Sequence, residues 1–364
     1  MKLSYRLPTW TILSPIVAWL FLGLLLTASE FTLSSVFKFL LIASLIASIL
    51  AAVFHAEVVA HKVGEPYGTL VLALAVTAIE VALIVSLMIA GGESESSLAR
   101  DTVFASVMII LNGLVGICLL SGASRHLEQS FGLLGVSASL ATLAAISVLT
   151  LVLPNYTTTT QGPFYSSGQL SFIAIVSFIL YATFILVQTV RHRDYFLPIT
   201  EVADETVHAP PPTKKMTQLS AVLMLACLVA VVLLAKALSP TLESFIASVG
   251  APKSLVGVII ATVVLLPESI AAYQAARANR LQTSLNLALG SALASIGLTI
   301  PAVAIVSLMY GLTLSLGIDA KSTVLLLLSL LVASISLGTG RTTIMQGTVH
   351  LVIFAVYLFT VIVP

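Results

Sequence analysis

Runs of about twenty apolar residues, separated by short polar breaks, recur from residue 10 almost to the end of the chain. A run of about 18 residues or more is long enough to span a bilayer as a helix. The pattern predicts eleven spans, near 10–28, 34–54, 66–90, 101–121, 131–153, 168–190, 218–238, 254–275, 283–311, 322–337 and 343–363. The fold class this implies is an all-α polytopic membrane protein. A bend is expected at Pro301. The one long connection, 191–217, is charged, carries Pro210, Pro211 and Pro212, and reads as a hydrophilic linker between two halves. His208 lies within it; a solvated loop is the simpler reading of this stretch, an ion sensor the other.

Composition agrees. The 364 residues are 59% hydrophobic and 9% charged, against about 25% charged in a soluble globular protein, so a large soluble catalytic domain has no room. The net charge of +1 singles out no charged partner: membrane lipid is expected around the spans, no nucleic acid is expected, and no oligomeric state follows. Cys118 and Cys227 both fall inside apolar runs and read as small packing residues. The first apolar run is long enough to remain as a helix rather than be cleaved.

Basic residues give an orientation. With the N-terminus cytoplasmic, the inner segments hold eleven: Lys2, Arg6, Lys62, Arg125, Arg191, Arg193, Lys214, Lys215, Arg277, Arg280 and Arg341. The outer segments hold five: Lys38, Arg100, Lys236, Lys253 and Lys321. The C-terminus is then outside and the linker cytoplasmic, with an inner (plasma) membrane of a bacterium as the expected location.

Against this background two acids stand out. Glu80 and Glu268 are each the lone acid inside a long apolar run. A carboxylate at mid-bilayer depth costs about 2.5–3.5 kcal/mol on insertion scales. A chain that carries this cost twice is expected to use both groups, by default for ions or protons. The orientation sends the third span, with Glu80, from inside to outside, and the eighth span, with Glu268, from outside to inside. They are five helices apart. A five-helix unit used twice behind one extra helix must be inverted in its second copy, a recurring plan of transporters whose site lies at the midplane. The expected organisation is an N-terminal helix in 1–30, a first repeat over 31–190, the linker 191–217 and a second repeat over 218–364.

Oxygen donors surround both acids in sequence. Thr77 lies one turn before Glu80. The next span contributes Asn112, whose amide must find a partner, with Gly113 and Gly116 permitting close helix approach. Pro267 directly precedes Glu268 and is expected to kink or break its helix, freeing a carbonyl. The span after it carries Ser284, Ser291, Ser295 and Thr299 on one face. Carboxylate, hydroxyl and carbonyl oxygens suit a hard cation such as Ca2+, which takes about 6–8 of them. A buried carboxylate is also a proton acceptor near neutral pH. The plain alternatives are that mid-span Ser and Thr bond their own backbone, and that Asn112 is interhelical glue.

Other residues carry weaker signals. Glu57, with His55, His61, Lys62 and Glu65 nearby, reads as a half-buried gate at the cytoplasmic end or as an interfacial cluster. The stretch HAEVVAH lacks the HExxH order of a metalloprotease helix. Gly338-Thr339-Gly340-Arg341 is too short for a phosphate loop. His350, in the last span, is either on a proton path or a packing histidine.

The segment HAEVVAHKVGEPYGTLVLALAVTAIEVALI resembles the first signature region of the cation/proton exchangers in the calcium/cation antiporter superfamily. The likeness is strongest to sodium(potassium)/calcium–proton antiporters of the ChaA type. LLPESIAAYQAARANRLQTSLNLALGSALASIGLTIPAVAI resembles the second signature. SSGQLSFIAIVSFILYATFILVQTVRHRDYF and GRTTIMQGTVHLVIFAVYLF resemble exchanger spans. The resemblance implies an inverted five-plus-five architecture around a central cation site. It puts the signature glutamates at Glu80 and Glu268, the asparagine at Asn112, the Gly-Ser pair at Gly290 and Ser291, and the preceding acid at Glu57. The chain departs from vacuolar-type exchangers, with Thr77 and Leu265 at asparagine positions, Ala294 for a glutamine and Gln346 for an acid. Fewer strong oxygen ligands remain, which leaves room for Na+ or K+ beside Ca2+.

The expected function is secondary antiport, in which Ca2+, Na+ or K+ leaves in exchange for H+. The cation site would be built from Glu80, Glu268, Thr77, Asn112 and Ser291, with Glu57, Ser295 and His350 as secondary candidates. No cofactor and no enzymatic activity are expected. A cation channel would need a continuous polar file, and an intramembrane enzyme a nucleophile–base pair or metal triad.

Overall fold

Each long apolar run becomes a helix because lipid leaves backbone groups no partner outside their own segment. The computed structural model describes residues 7–26, 34–64, 67–197, 212–250 and 252–363. The helices are α1 (Thr9–Leu25), α2 (Ser35–Val63), α3 (Tyr67–Gly91), α4 (Leu98–His126), α5 (Leu133–Tyr156) and α6 (Ser167–Arg191). They continue with α7 (Lys214–Val249), α8 (Ser254–Arg277), α9 (Leu281–Tyr310), α10 (Ala320–Leu337) and α11 (Ile344–Ile362). Ten of them, all but the 17-residue α1, are long and apolar enough to cross a membrane. All eleven expected spans appear as helices.

Their edges differ where polar residues hid helix. α2 runs on through His55, Glu57 and His61 to Gly64, whose φ of 77° ends it. α7 starts at Lys214, inside the expected linker; residues 198–211, with His208, lie outside the described residues. α8 continues through Pro267 without breaking, and α9 through Pro301. Pro267 still lacks an N–H, so the Val263 carbonyl loses its helical donor one turn before Glu268.

The chain forms two compact units, one of residues 1–91 with 202–250, the other of 92–201 with 251–364. In the first, α1, α2 and α7 close around Ala18, Phe37, Leu41, Ala230, Leu234 and Leu238. Phe21 meets Phe37 edge to face, at 5.7 Å between centroids, and α3 packs on α2 and α7.

The second unit is organised by a two-fold relation that its loops make visible. Beyond α4, strand β1 (Gln129–Ser130) pairs antiparallel with β2 (Arg341–Thr342), beyond α10. Beyond α9, Ser315 bridges to Phe164, beyond α5. If α4, α5 and α6 are matched with α9, α10 and α11, these two pairings exchange. They sit at opposite ends of the helices, so the second set is inverted with respect to the first. Caps repeat the match. α6 opens with a capping box of Ser166 and Gln169, and α11 with one of Thr343 and Gln346. Outside the packed middle, α6 presents Phe172, Ile175, Phe178, Ile179 and Leu186 exposed, an apolar face suited to lipid.

Candidate cation site

Glu80 is 2% exposed on α3 in the first unit, with Thr77 buried one turn before it. One further turn and a half along the same helix, Ser86 Oγ donates to the Val232 carbonyl of α7 at 3.4 Å. Glu57 is exposed on α2, unlike the half-buried gate that is one of its two readings: extending the helix past residue 54 carries its side chain round to an open face. His55, two residues earlier, is instead fully buried, with Nε2 3.1 Å from the Thr11 carbonyl of α1.

In the second unit the candidate residues can be placed in depth. Gly257 of α8 abuts the α4 backbone so closely that a Cβ would lie 2.7 Å from Asp101 C and Thr102 N. At the far end His126 Nε2 donates to the Arg277 carbonyl at 3.0 Å, and Gln129 Nε2 to the Ala276 carbonyl at 3.0 Å. The two helices therefore run parallel. Glu268 follows Gly257 by eleven residues and Asn112 follows Thr102 by ten. At about 1.5 Å per residue both stand about 15–17 Å along, at one level. α9 runs the other way, with Gln282 accepting from the Gly132 amide and Ser284 against the Cys118 thiol. Seven residues past Ser284, Ser291 reaches that same level. Glu268 and Ser291 are partly buried, Ser295 is 3% exposed, and Asn112 is fully buried.

Asn112 lies in a wide helical turn, Ile109–Leu114, where the Val115 amide reaches back five residues to the Ile110 carbonyl. Such turns disturb the ladder locally and often mark functional positions. Its side chain is engaged at both ends. Nδ2 donates to Ser329 Oγ of α10 at 2.8 Å, and Oδ1 faces His350 Nδ1 of α11 at 3.4 Å. His350 Nε2 in turn lies 2.8 Å from Ser336 Oγ. Of the sequence candidates, the structure thus joins Asn112 and His350 by direct contact. It also brings in Ser329 and Ser336, which the sequence reading missed; their spacing of seven along one face of α10 was the available signal. Gln346, at the expected acid position, serves as a cap: Oε1 accepts from the Thr343 amide at 2.8 Å and from its hydroxyl at 2.6 Å.

Polar chemistry at the opposite end of the unit is structural. Arg100 pairs with Asp101 at 2.8 Å and donates to the Gly317 carbonyl at 2.9 Å. Burial resists ionisation of Asp319 at the start of α10. Donation from Ser322, together with Lys321 and Arg100, outweighs that and holds the carboxyl below its ordinary value. Burial pushes the Tyr165 hydroxyl up to about 12, while it donates to the Leu149 carbonyl at 2.6 Å. No group of three or more His, Cys, Asp or Glu side chains suited to a metal ion occurs among the described residues.

A helical body with apolar outer faces and buried carboxylate, amide, hydroxyl and imidazole groups is an integral membrane protein equipped to handle polar cargo. The family described as sodium/calcium exchanger protein matches residues 31–190 and 219–363, and the chain belongs to that family, one of transporters. It falls with the calcium/cation antiporters of the ChaA type. It is 50% identical over 311 residues to the y4hA protein of Sinorhizobium fredii, covering 85% of this chain and 83% of that one. It is 35% identical over 307 residues to the sodium-potassium/proton antiporter ChaA of Escherichia coli, covering 84% and 83%. Among solved structures it is similar to native YfkE, with a TM-score of 0.71 at 17% identity over 96% of this chain and 100% of that one. The H+/Ca2+ exchanger CAX gives a TM-score of 0.69 at 17% identity, covering 96% and 88%.

Proposed function

We propose that this protein exports Ca2+, Na+ or K+ in exchange for H+ by alternating access, the cation and protons competing for Glu80 and Glu268. The observation that carries the reading is the placing of Glu268, Asn112 and Ser291 at one depth on three packed helices. Glu80, buried on α3, is the other signature acid. A carboxylate in such surroundings holds a cation when ionised and a proton when neutral, so one pair of groups serves both directions without a separate proton site. The ChaA relationship supports proton-coupled movement of monovalent cations, and the exchanger fold leaves Ca2+ in the set.

The reading includes two inverted five-helix repeats over 31–190 and 218–364 behind the N-terminal helix, with 191–217 as a cytoplasmic linker. The membrane is a bacterial inner membrane, with the N-terminus inside and the C-terminus outside. Thr77 and Ser291 supply hydroxyl oxygens and Asn112 a carbonyl oxygen, while Ser295 lies one turn deeper. Glu57, exposed on α2, is assigned in this reading to the entry path. The cation is cargo and the surrounding partner is lipid; no resident cofactor takes part.

Everted vesicles carrying an imposed pH gradient test this. Addition of Ca2+, Na+ or K+ is expected to release protons from the lumen, read as dequenching of a pH-sensitive dye. Silence with all three cations would remove the antiport reading.

A further inference from the structure

The side chain of Asn112 is the middle of a hydrogen-bonded chain across α4, α10 and α11, and the direction of that chain can be derived from one end. The Leu325 carbonyl can only accept, so the Ser329 hydroxyl donates to it, at 2.6 Å. Ser329 Oγ then accepts from Asn112 Nδ2 at 2.8 Å. The amide oxygen is thereby turned to His350 Nδ1, the longest link at 3.4 Å. A carbonyl oxygen can only accept, so Nδ1 carries the hydrogen. The Leu111 carbonyl, also within reach of the imidazole, is another pure acceptor. A second ring proton would put a charge at a site with no exposure and no carboxylate among its hydrogen-bond partners, which burial penalises heavily. Nε2 therefore accepts from the Ser336 hydroxyl at 2.8 Å, a shorter contact than that hydroxyl's other acceptor, the Ala333 carbonyl at 3.3 Å.

Packing keeps this arrangement in register. A Cβ on Gly116 would lie 3.1 Å from His350 Cβ, and one on Gly347 would lie 2.5 Å from the Leu120 amide nitrogen. α11 is thus seated on the α4 backbone at His350 and one turn before it.

We propose that His350, as the neutral Nδ1–H tautomer, is a positioning residue that fixes the orientation of the Asn112 amide. The inference rests on the cation site proposed above and adds how one of its ligands is held. An amide turned through 180° presents N–H donors where a cation needs a lone pair. Anchoring the nitrogen to Ser329 and the oxygen to His350 prevents that turn and leaves one lone pair of Oδ1 for the cation. His350 then acts on cation affinity, and no transported proton passes through it.

The full-length protein in everted vesicles tests this with substitutions that mimic one ring nitrogen at a time. In His350→Asn the side-chain amide stands close to the position of Nδ1; in His350→Gln it reaches that of Nε2. His350→Gln and Ser329→Ala are expected to raise the half-saturating cation concentration about fivefold, the worth of one neutral hydrogen bond. Maximal rate should be kept in both. His350→Asn should stay near wild type, with an unchanged pH profile. Equal affinity losses in His350→Asn and His350→Gln, or a displaced pH profile in His350→Asn, would overturn the proposal. A second arm needs no transport. In 15N-histidine spectra, the signals lost in His350→Asn should be those of a protonated Nδ1 and a bare Nε2; a protonated Nε2 would equally overturn it. Should the wild type move no protons with any cation, the antiport reading fails, and the spectra still decide the tautomer.

Discussion

At the scale of single residues, the two carboxylates carry the strongest expectation. Glu80→Gln and Glu268→Gln each keep size and hydrogen-bonding capacity while removing the charge that a cation needs. Each is expected to reduce cation-driven proton movement to the background of empty vesicles, with the protein still inserted at wild-type levels on a membrane blot. Wild-type transport by either variant would exclude that residue from the site. Thr77 follows a different logic. As a neutral hydroxyl beside Glu80 it would add one oxygen to the proposed site without balancing the cation's charge, so its expected contribution is to selectivity more than to turnover. Glu57 shows how local the limits of sequence are: its neighbours are polar enough to suggest a helix end, and the helix in fact continues past it and leaves it exposed.

Helices of the second unit meet through residues with no side chain, and this makes the element scale testable. A Cβ on Gly347 would fall 2.5 Å from a backbone nitrogen and 2.9 Å from the Gly116 carbonyl oxygen. Neither atom can rotate away. Gly347→Ala should therefore push α11 off α4 and cost about 1–3 kcal/mol, the usual range for overpacking, seen as a lower Tm in detergent. Gly290→Ala, with nothing within 4 Å of the added carbon, should leave Tm unchanged, although both glycines lie in apolar helices. A shared response would mean that α4 and α11 are not in this close contact. The difference between these two glycines could not be read from sequence, because it depends on which helix crosses which. What sequence does carry at this scale is what each helix decides alone. The eleven spans follow from local hydropathy, and the Ser166–Gln169 and Thr343–Gln346 caps from a four-residue pattern. The candidate site residues on the spans could be picked out for the same reason, since an isolated Glu or Asn in an apolar run is anomalous without any partner being known. The chain from Ser329 through Asn112 and His350 to Ser336 was not, because it joins residues more than two hundred positions apart, and the wide turn at Asn112 leaves no mark in composition.

For the molecule, the inversion within 92–201 and 251–364 turns the charge count into a statement about sides. The end holding β1 and β2 carries Arg125, Arg191, Arg193, Arg277, Arg280 and Arg341. This follows from Gln129 reaching Ala276, and from Asn286 donating to the Phe196 carbonyl at 2.6 Å. The end of the Phe164–Ser315 bridge carries Arg100, Lys253 and Lys321. Two of these are matched by acids, Arg100 by Asp101 at 2.8 Å and Lys253 by Glu95 at 3.5 Å; Lys321 donates to the Thr360 carbonyl at 2.8 Å near the end of α11. Twice as many basic residues at the first end favour the orientation proposed above, with that end cytoplasmic. Single cysteines can test both the sidedness and the inversion. Cys118 and Cys227 are fully buried and so out of reach of a membrane-impermeant maleimide. In intact cells that reagent should label Thr159→Cys and Thr313→Cys, which lie in loops following α5 and α9. It should miss Ser130→Cys and Thr339→Cys, in loops following α4 and α10, until the membrane is opened. The decisive comparison is between Ser130 and Thr313, which stand in corresponding loops of the two copies. Labelling of both from the same side would contradict the inversion itself, whereas exchange of the two pairs would reverse the orientation and leave the inversion intact.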